Sequence, residues 1–180
     1  MGDPYFDLAY TGTQVIPLFR SIYSTNLTDP DSPREQLNLQ SSYIDASNVY
    51  GASDERARTL RRNDGTGRLR TGPGNLLPYN THGLHNAPDN SPRYYLAGDI
   101  RANEQVLLIA MHTLWVREHN RIAHQLWVNN PEWTDEQIYQ ETRTYVIALN
   151  QAITFNEYLP LMFGPMAPYE GYNSNINLRS

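Results

Sequence analysis

Gly98-Asp99-Ile100-Arg101-Ala102-Asn103-Glu104-Gln105-Val106 opens the longest run of helical periodicity in this chain of 180 residues, and the architecture is read outward from it. Asp99 is placed to cap a helix from about Ile100 to Trp127, along which Val106, Leu107, Ala110, Leu114, Ile122 and Leu126 recur at helical spacing. Pro131 ends that pattern. Thr134-Asp135-Glu136-Gln137 then spells a capping box, with Thr134 as N-cap and Gln137 reaching back to it. The second helix carries Ile138, Tyr145, Leu149, Ala152 and Ile153 on its expected inner face, and Pro160 and Gly164-Pro165 are expected to stop it. Residues 99–164 therefore read as an αα-hairpin of two long amphipathic helices. Residues 165–180 read as a polar, Asn-rich tail.

Upstream, Asp29-Pro30-Asp31-Ser32-Pro33, Asn63-Asp64-Gly65-Thr66-Gly67 and Thr71-Gly72-Pro73-Gly74 are turn signals without a sustained period. The best helix there is Asp54 to Arg61, with Ser53 as N-cap and acids in its first turn. The fold class expected is mainly α: a loop-rich half over residues 1–98, then the helix pair. Long irregular chain is uncommon in a compact domain, so the sequence is expected to be a segment of something larger.

Composition removes several classes of function. A net charge of −5 lacks the basic footprint of a general nucleic-acid binder. No apolar run is long enough to span a bilayer, and Met1-Gly2-Asp3-Pro4 does not open like a signal peptide. The absence of cysteine excludes disulfides, thiolate metal sites and thiol nucleophiles within these residues. All 14 cationic side chains are Arg, so Schiff-base chemistry and a P-loop lysine are excluded as well.

Three groups of residues bear on chemistry. His112, His119 and His124 fall on the first long helix, but His119 and His124 stand about 140° apart around it, and His112 and His119 roughly 10 Å apart along it. That geometry fails a zinc helix, and helix-packing histidines are the expectation. Arg101 and Glu104, three residues apart, share a face of the first helical turn, either as an i,i+3 ion pair or with the guanidinium facing a cavity. In extended chain, Ser41, Tyr43, Asp45 and Ser47 point the same way. They offer two hydroxyls, a backbone carbonyl and a carboxylate: hard donors of the kind Ca²⁺ takes, or an Asx or Ser turn before a short helix. Asn26-Leu27-Thr28 is a glycosylation sequon, of consequence only in a secreted protein.

The order of longer motifs goes further. Tyr43-Ile44-Asp45-Ala46-Ser47-Asn48-Val49-Tyr50-Gly51, Leu96-Ala97-Gly98-Asp99-Ile100-Arg101-Ala102-Asn103-Glu104 and Met111-His112-Thr113-Leu114-Trp115-Val116-Arg117-Glu118-His119-Asn120-Arg121 resemble the animal-type haem peroxidase family. Asn130-Pro131-Glu132-Trp133, Tyr139-Gln140-Glu141 and Gln151-Ala152-Ile153-Thr154-Phe155-Asn156-Glu157-Tyr158-Leu159-Pro160 continue in the same order. The resemblance runs from about Ile16 to Gly164.

The resemblance implies roles and partners. Arg101 falls where the family has its distal arginine, which is expected to lean over the haem and stabilise the negative charge that peroxide O–O cleavage develops. Glu104 falls where several members esterify a haem methyl. Ser41, the Tyr43 carbonyl, Asp45 and Ser47 fall on the family's calcium loop. The implied cofactors are haem b and Ca²⁺, and the implied substrates are H₂O₂ and a small halide or organic electron donor. Gln105 stands where some mammalian members carry a haem-linked Met. The family's distal His, with its neighbouring calcium Asp, precedes the matched region, and its proximal iron ligand follows it, so no iron ligand is expected in these residues. The isolated chain is accordingly expected to have little or no peroxidase activity. Alternatives are a non-catalytic calcium-binding or interaction remnant of the scaffold, and a haem dioxygenase of the same superfamily. The family also suggests an extracellular location.

Overall fold

The computed structural model describes residues 5–15, 18–25 and 33–171. The sequon at Asn26 and most of the polar tail lie outside the described residues. The chain divides into two units, Met1–Leu39 and Gln40–Ser180.

In the first unit the Asp7 carboxylate accepts hydrogen bonds from the Thr11 hydroxyl and the Gly12 amide, closing a turn. Tyr23 and Gln36 form an isolated antiparallel bridge, and the Arg34 guanidinium lies 4.2 Å over the Tyr23 ring.

The second unit is mainly helical, with isolated bridges but no strand among the described residues. Its elements are α1 (Ser47–Tyr50), α2 (Asp54–Leu60), a 3₁₀ turn (Pro73–Asn75), α3 (Val106–Asn129), α4 (Asp135–Ile153) and α5 (Leu159–Phe163). Ser53 caps α2 by accepting from the Arg56 amide, and Thr134 and Gln137 form the reciprocal capping box of α4, both as expected.

The structure corrects three expectations. The long helix starts at Val106, not near Ile100, and its N-cap is Gln105, whose side chain accepts from the Leu107 amide at 2.8 Å. Asp99 cannot serve as that cap because its carboxylate is occupied by Arg101. Pro160 does not stop α4: a π-helical turn at Thr154–Tyr158 rearranges the backbone, Pro160 sits in the first turn of α5 where its missing N–H costs nothing, and Gly164 at φ 84° ends the run.

The third correction concerns which faces are buried. On α3 the buried stripe is His112, Thr113, Val116, His119 and Ala123, while Val106, Leu107, Ala110 and Leu114 are exposed. On α4 it is Ile138, Tyr139, Thr142 and Val146, while Tyr145, Leu149, Ala152 and Ile153 are exposed. Only Ile138 of the expected inner face is buried. The core is completed from irregular chain by Leu69, Leu77, Leu96, Ala97 and Ala102.

The fully buried His119 ties these parts together. Its Nε2–H donates to the Gly67 carbonyl at 2.9 Å, which leaves Nδ1 to accept from the Tyr50 hydroxyl at 2.8 Å. The rings of Tyr50 and Tyr139 meet it at centroid distances of 5.4 Å and 5.7 Å. One neutral imidazole thus joins α1, α3, α4 and the 61–69 loop. That loop is also stapled to the start of α4. Asp135 accepts from the Gly65 and Gly67 amides and pairs with Arg61 at 2.7 Å, Glu136 takes the other arm of Arg61, and the guanidinium stacks 4.0 Å over Tyr139.

Burial pushes the His119 imidazole down to about 4 from an ordinary 6.5. The unfolded chain therefore binds this proton at a pH where the folded chain does not. The stability that neutral His119 contributes is complete above pH 6.5 and is lost as the pH falls toward 4, with a slope of up to about 1.4 kcal/mol per pH unit. In urea titrations across that range, His119→Gln is expected to flatten the slope; an unchanged slope would count against the assignment.

Candidate functional site

The candidate site is built on a backbone contact. Gly98 lies so close to α1 that a Cβ would come within 2.5 Å of the Ser47 carbonyl oxygen and 2.6 Å of the Asn48 carbonyl oxygen. The next residue, Asp99, donates its amide to the Asn48 carbonyl at 3.2 Å. Beyond the turn, Ala102 is fully buried, and the Asn103 amide group exchanges two hydrogen bonds with the Tyr95 backbone, at 2.9 Å and 2.8 Å. Arg101 is thus carried on a short turn anchored at both ends.

Within that turn the Asp99 carboxylate grips Arg101 three ways. Oδ1 accepts from the Arg101 amide at 2.8 Å and from Nε at 3.0 Å, and Oδ2 accepts from Nη2 at 2.7 Å. The hydrogen bond from Arg101 holds the Asp99 carboxyl below the usual carboxylate range, outweighing burial. The same bond raises Arg101. Arg101 itself is 54% exposed in its side chain, against 12% for Asp99.

These facts revise the reading of the Arg101–Glu104 pair. The two residues lie in the turn that precedes α3, not in its first helical turn, and Arg101 pairs with Asp99, not with Glu104. The guanidinium stands on an open face rather than in a closed hollow. Glu104 is exposed, and two residues after it begins the exposed apolar surface of α3: Val106, Leu107, Met111 and Leu114.

Beneath this turn lie two buried bases. Arg56 donates from Nε to the Ala97 carbonyl at 2.6 Å, from Nη1 to the His85 carbonyl at 2.7 Å and from Nη2 to the Asn86 side chain at 3.0 Å. His112, 7% exposed, leaves Nδ1 without a hydrogen-bond partner; burial depresses its basicity, and the Asp99 charge opposes that.

The 41–47 loop is bent, not extended, and Ala46 takes a left-handed conformation at φ 55° before α1 begins. The side chains of Ser41, Asp45 and Ser47 meet nevertheless. The Asp45 carboxylate accepts from the Ser47 amide at 2.9 Å, and the Ser41 hydroxyl accepts from the Tyr43 amide at 3.2 Å. Burial works against the ionised Asp45, but hydrogen bonds from Ser41 and Ser47 hold its carboxyl below the ordinary range. Asp45 and Ser47 also line a cavity of about 250 Å³. One carboxylate and two hydroxyls are hard donors that suit a hard cation, though fewer than the six to eight that Ca²⁺ takes.

The sequence reading missed Asp99 as the partner of Arg101 and the buried Arg56, whereas His112 and His119 are buried on α3 as the helix-packing reading expected. The signal for Asp99 was its place two residues before Arg101, where an Asx side chain reaches back to the backbone. Arg56 makes contacts too distant in sequence to leave a local signal, and the particular partners of His119 were hidden for the same reason.

Because no side chain fits at position 98, Gly98→Ala is expected to destabilise the chain by about 2 kcal/mol or more, as overpacking against backbone does. Denaturant midpoints of the two proteins measure it; equal midpoints would show that α1 yields easily.

Comparison with known proteins identifies the family. The family profile "Animal haem peroxidase" matches residues 1–179. Drosophila melanogaster peroxidasin is 44% identical over 160 residues, which is 80% of this chain and 10% of peroxidasin. Among solved structures, peroxidase A of Dictyostelium discoideum superposes with a TM-score of 0.78 at 34% identity, over 97% of this chain and 37% of that one. Oryza sativa fatty acid alpha-dioxygenase gives a TM-score of 0.57 at 26% identity, over 72% of this chain and 20% of that one. The chain therefore spans well under half the length of these relatives. With the motifs in order, the profile matched along almost the whole length and the fold shared with a peroxidase, this chain belongs to the animal haem peroxidase family.

Proposed function

We propose that this chain forms part of the distal side of a haem peroxidase, with Arg101 as the group that polarises bound peroxide. The observation that carries the reading is the grip of Asp99 on Arg101. It fixes the Nε and Nη2 edge of the guanidinium and leaves Nη1 available, on a turn seated against α1. A guanidinium keeps its charge at every working pH and so can stabilise negative charge on a departing oxygen without itself moving a proton.

The open face beside Arg101 suits one side of a flat macrocycle: a cation, the Glu104 carboxylate and an apolar helix surface in sequence. Haem b, when bound, supplies the redox chemistry. Arg101 would border it on the distal side, and Glu104 would offer a carboxylate for an ester to the ring. Ser41, the Tyr43 carbonyl, Asp45 and Ser47 would hold Ca²⁺, with the remaining donors supplied from outside these residues. The reaction proposed for the complete domain is oxidation of a halide or small organic donor by H₂O₂, in an extracellular setting.

We infer that the distal base and the iron ligand come from parts of the domain outside these 180 residues, since the chain spans 37% of the peroxidase A structure and 10% of peroxidasin. The peroxidase reading is preferred to the dioxygenase one because both the identity and the superposition are stronger for the former.

Two outcomes are expected. In a complete domain, Arg101→Gln should slow the peroxide-consuming step about 100-fold, in the range seen when one donor to a developing oxyanion is removed, while haem absorbance is retained; an unchanged rate would remove Arg101 from the mechanism. Asp45→Ala in the same domain should abolish the rise in melting temperature on adding Ca²⁺, and a rise equal to that of the parent would clear the 41–47 loop of metal binding.

A further inference from the structure

We propose that the surface where α3 meets the 62–71 segment is a binding site for a tetrahedral dianion, a sulfate or phosphate group held chiefly by Arg68 and Arg117. A cavity of about 310 Å³ there is lined by four guanidiniums, those of Arg62, Arg68, Arg117 and Arg121, together with His124 and Thr71. Such a concentration of positive charge is unexpected in a chain of net charge −5.

Two of the four are already neutralised: Arg62 pairs with Asp64 at 2.6 Å and Arg121 with Glu118 at 2.7 Å. Arg68 and Arg117 have no carboxylate partner among the described residues. The pocket therefore holds two uncompensated positive charges, the complement of a dianion.

Both free guanidiniums are held in place before any ligand arrives. Arg117 donates from Nε to the Asn75 carbonyl at 2.8 Å and from Nη2 to the Gly74 carbonyl at 3.3 Å, leaving Nη1 unused. Arg68 donates from Nη2 to His124 Nδ1 at 2.7 Å, and its Nε is buried with no hydrogen-bond partner. Arg68 Nη1 carries no hydrogen bond among the described residues, so each guanidinium keeps an uncommitted donor.

The geometry favours a tetrahedral oxyanion over a carboxylate. Donors converge from two directions, α3 and the 62–71 segment, whereas a planar carboxylate is satisfied by a single fork. The cavity also exceeds a bare sulfate ion, so the group can be free or the ester end of a larger molecule.

The test is calorimetric titration of a complete domain containing these residues with sodium sulfate, sodium phosphate, glucose 6-phosphate and glucose, at matched ionic strength and at a pH above the second ionisation of the phosphates. Saturable sulfate binding is expected, weakened at least fivefold in Arg68→Gln and in Arg117→Gln and unchanged in Arg93→Gln. Because Arg117 also braces Gly74 and Asn75, Arg62→Gln serves as a further variant with a smaller loss expected, and circular dichroism verifies folding. Tighter binding of glucose 6-phosphate than of free phosphate identifies an ester as the ligand, equal binding identifies the free ion, and glucose should not bind. No saturable binding at tens of millimolar sulfate, or equal binding by all variants, overturns the proposal.

Discussion

The position of Arg101 depends on a place where two backbones touch. Gly98 meets α1 with no room for a side chain, and Asp99 completes the contact through the Asn48 carbonyl. From there a continuous series of hydrogen bonds leads in both directions. One way it passes through Asp99 to the guanidinium of Arg101. The other way it passes along the four residues of α1 to Ser47, whose amide is held by Asp45. The oxygen-rich loop and the candidate catalytic cation are therefore parts of one small rigid body. Ordering the loop, by its own hydrogen bonds or by a cation, would order the guanidinium with it.

Irregular chain can carry a site only if its polar backbone is satisfied, and here side chains do what a strand ladder would do elsewhere. Asn80, fully buried, both donates to and accepts from Leu84. Asn120 does the same for Leu69, and Asn103 for Tyr95. Arg56 spreads its charge over three oxygen acceptors, none of them a carboxylate, with the field of Asp99 nearby. A buried guanidinium is tolerable on those conditions, and its removal would strand the Ala97 and His85 carbonyls directly beneath the turn that carries Arg101.

What could be read in the sequence was what is local. Ser53 and the Thr134–Gln137 box announced their helices because a cap is made within three residues. The start of α3 was misread for a local reason too: Asp99 and Gln105 are both able to cap, and the competition is decided by Arg101, which occupies the first. The buried faces misled for a different reason. Periodicity assigns apolar residues to the interior, yet the interior stripe of α3 contains two histidines and a threonine, and His119 is held there by contacts dozens of residues away. His119 shows why. Its partners are Tyr50, Gly67 and Tyr139, and no window of sequence holds all of them.

The exposed apolar residues, several of which periodicity had placed inside, point to a further constraint. Val106, Leu107, Met111 and Leu114 are exposed along α3, Tyr145, Leu149 and Ile153 along α4, and Leu161 and Phe163 on α5. Apolar surface left in water forgoes about 25 cal/mol for each Å² that could be covered, and contiguous patches of it mark faces that meet something. A helix whose polar stripe is buried and whose apolar stripe is bare has two interfaces, with only the first formed inside these residues. That is what the proposed partial domain requires. The hydrogen-bonded side of the hairpin sets the register of α1, Gly67 and the Arg101 turn, while in the proposed domain the bare side would be left for the macrocycle and the rest of the fold. The two faces thus divide the work, one fixing where the guanidinium stands and the other supplying the surface over which it would act.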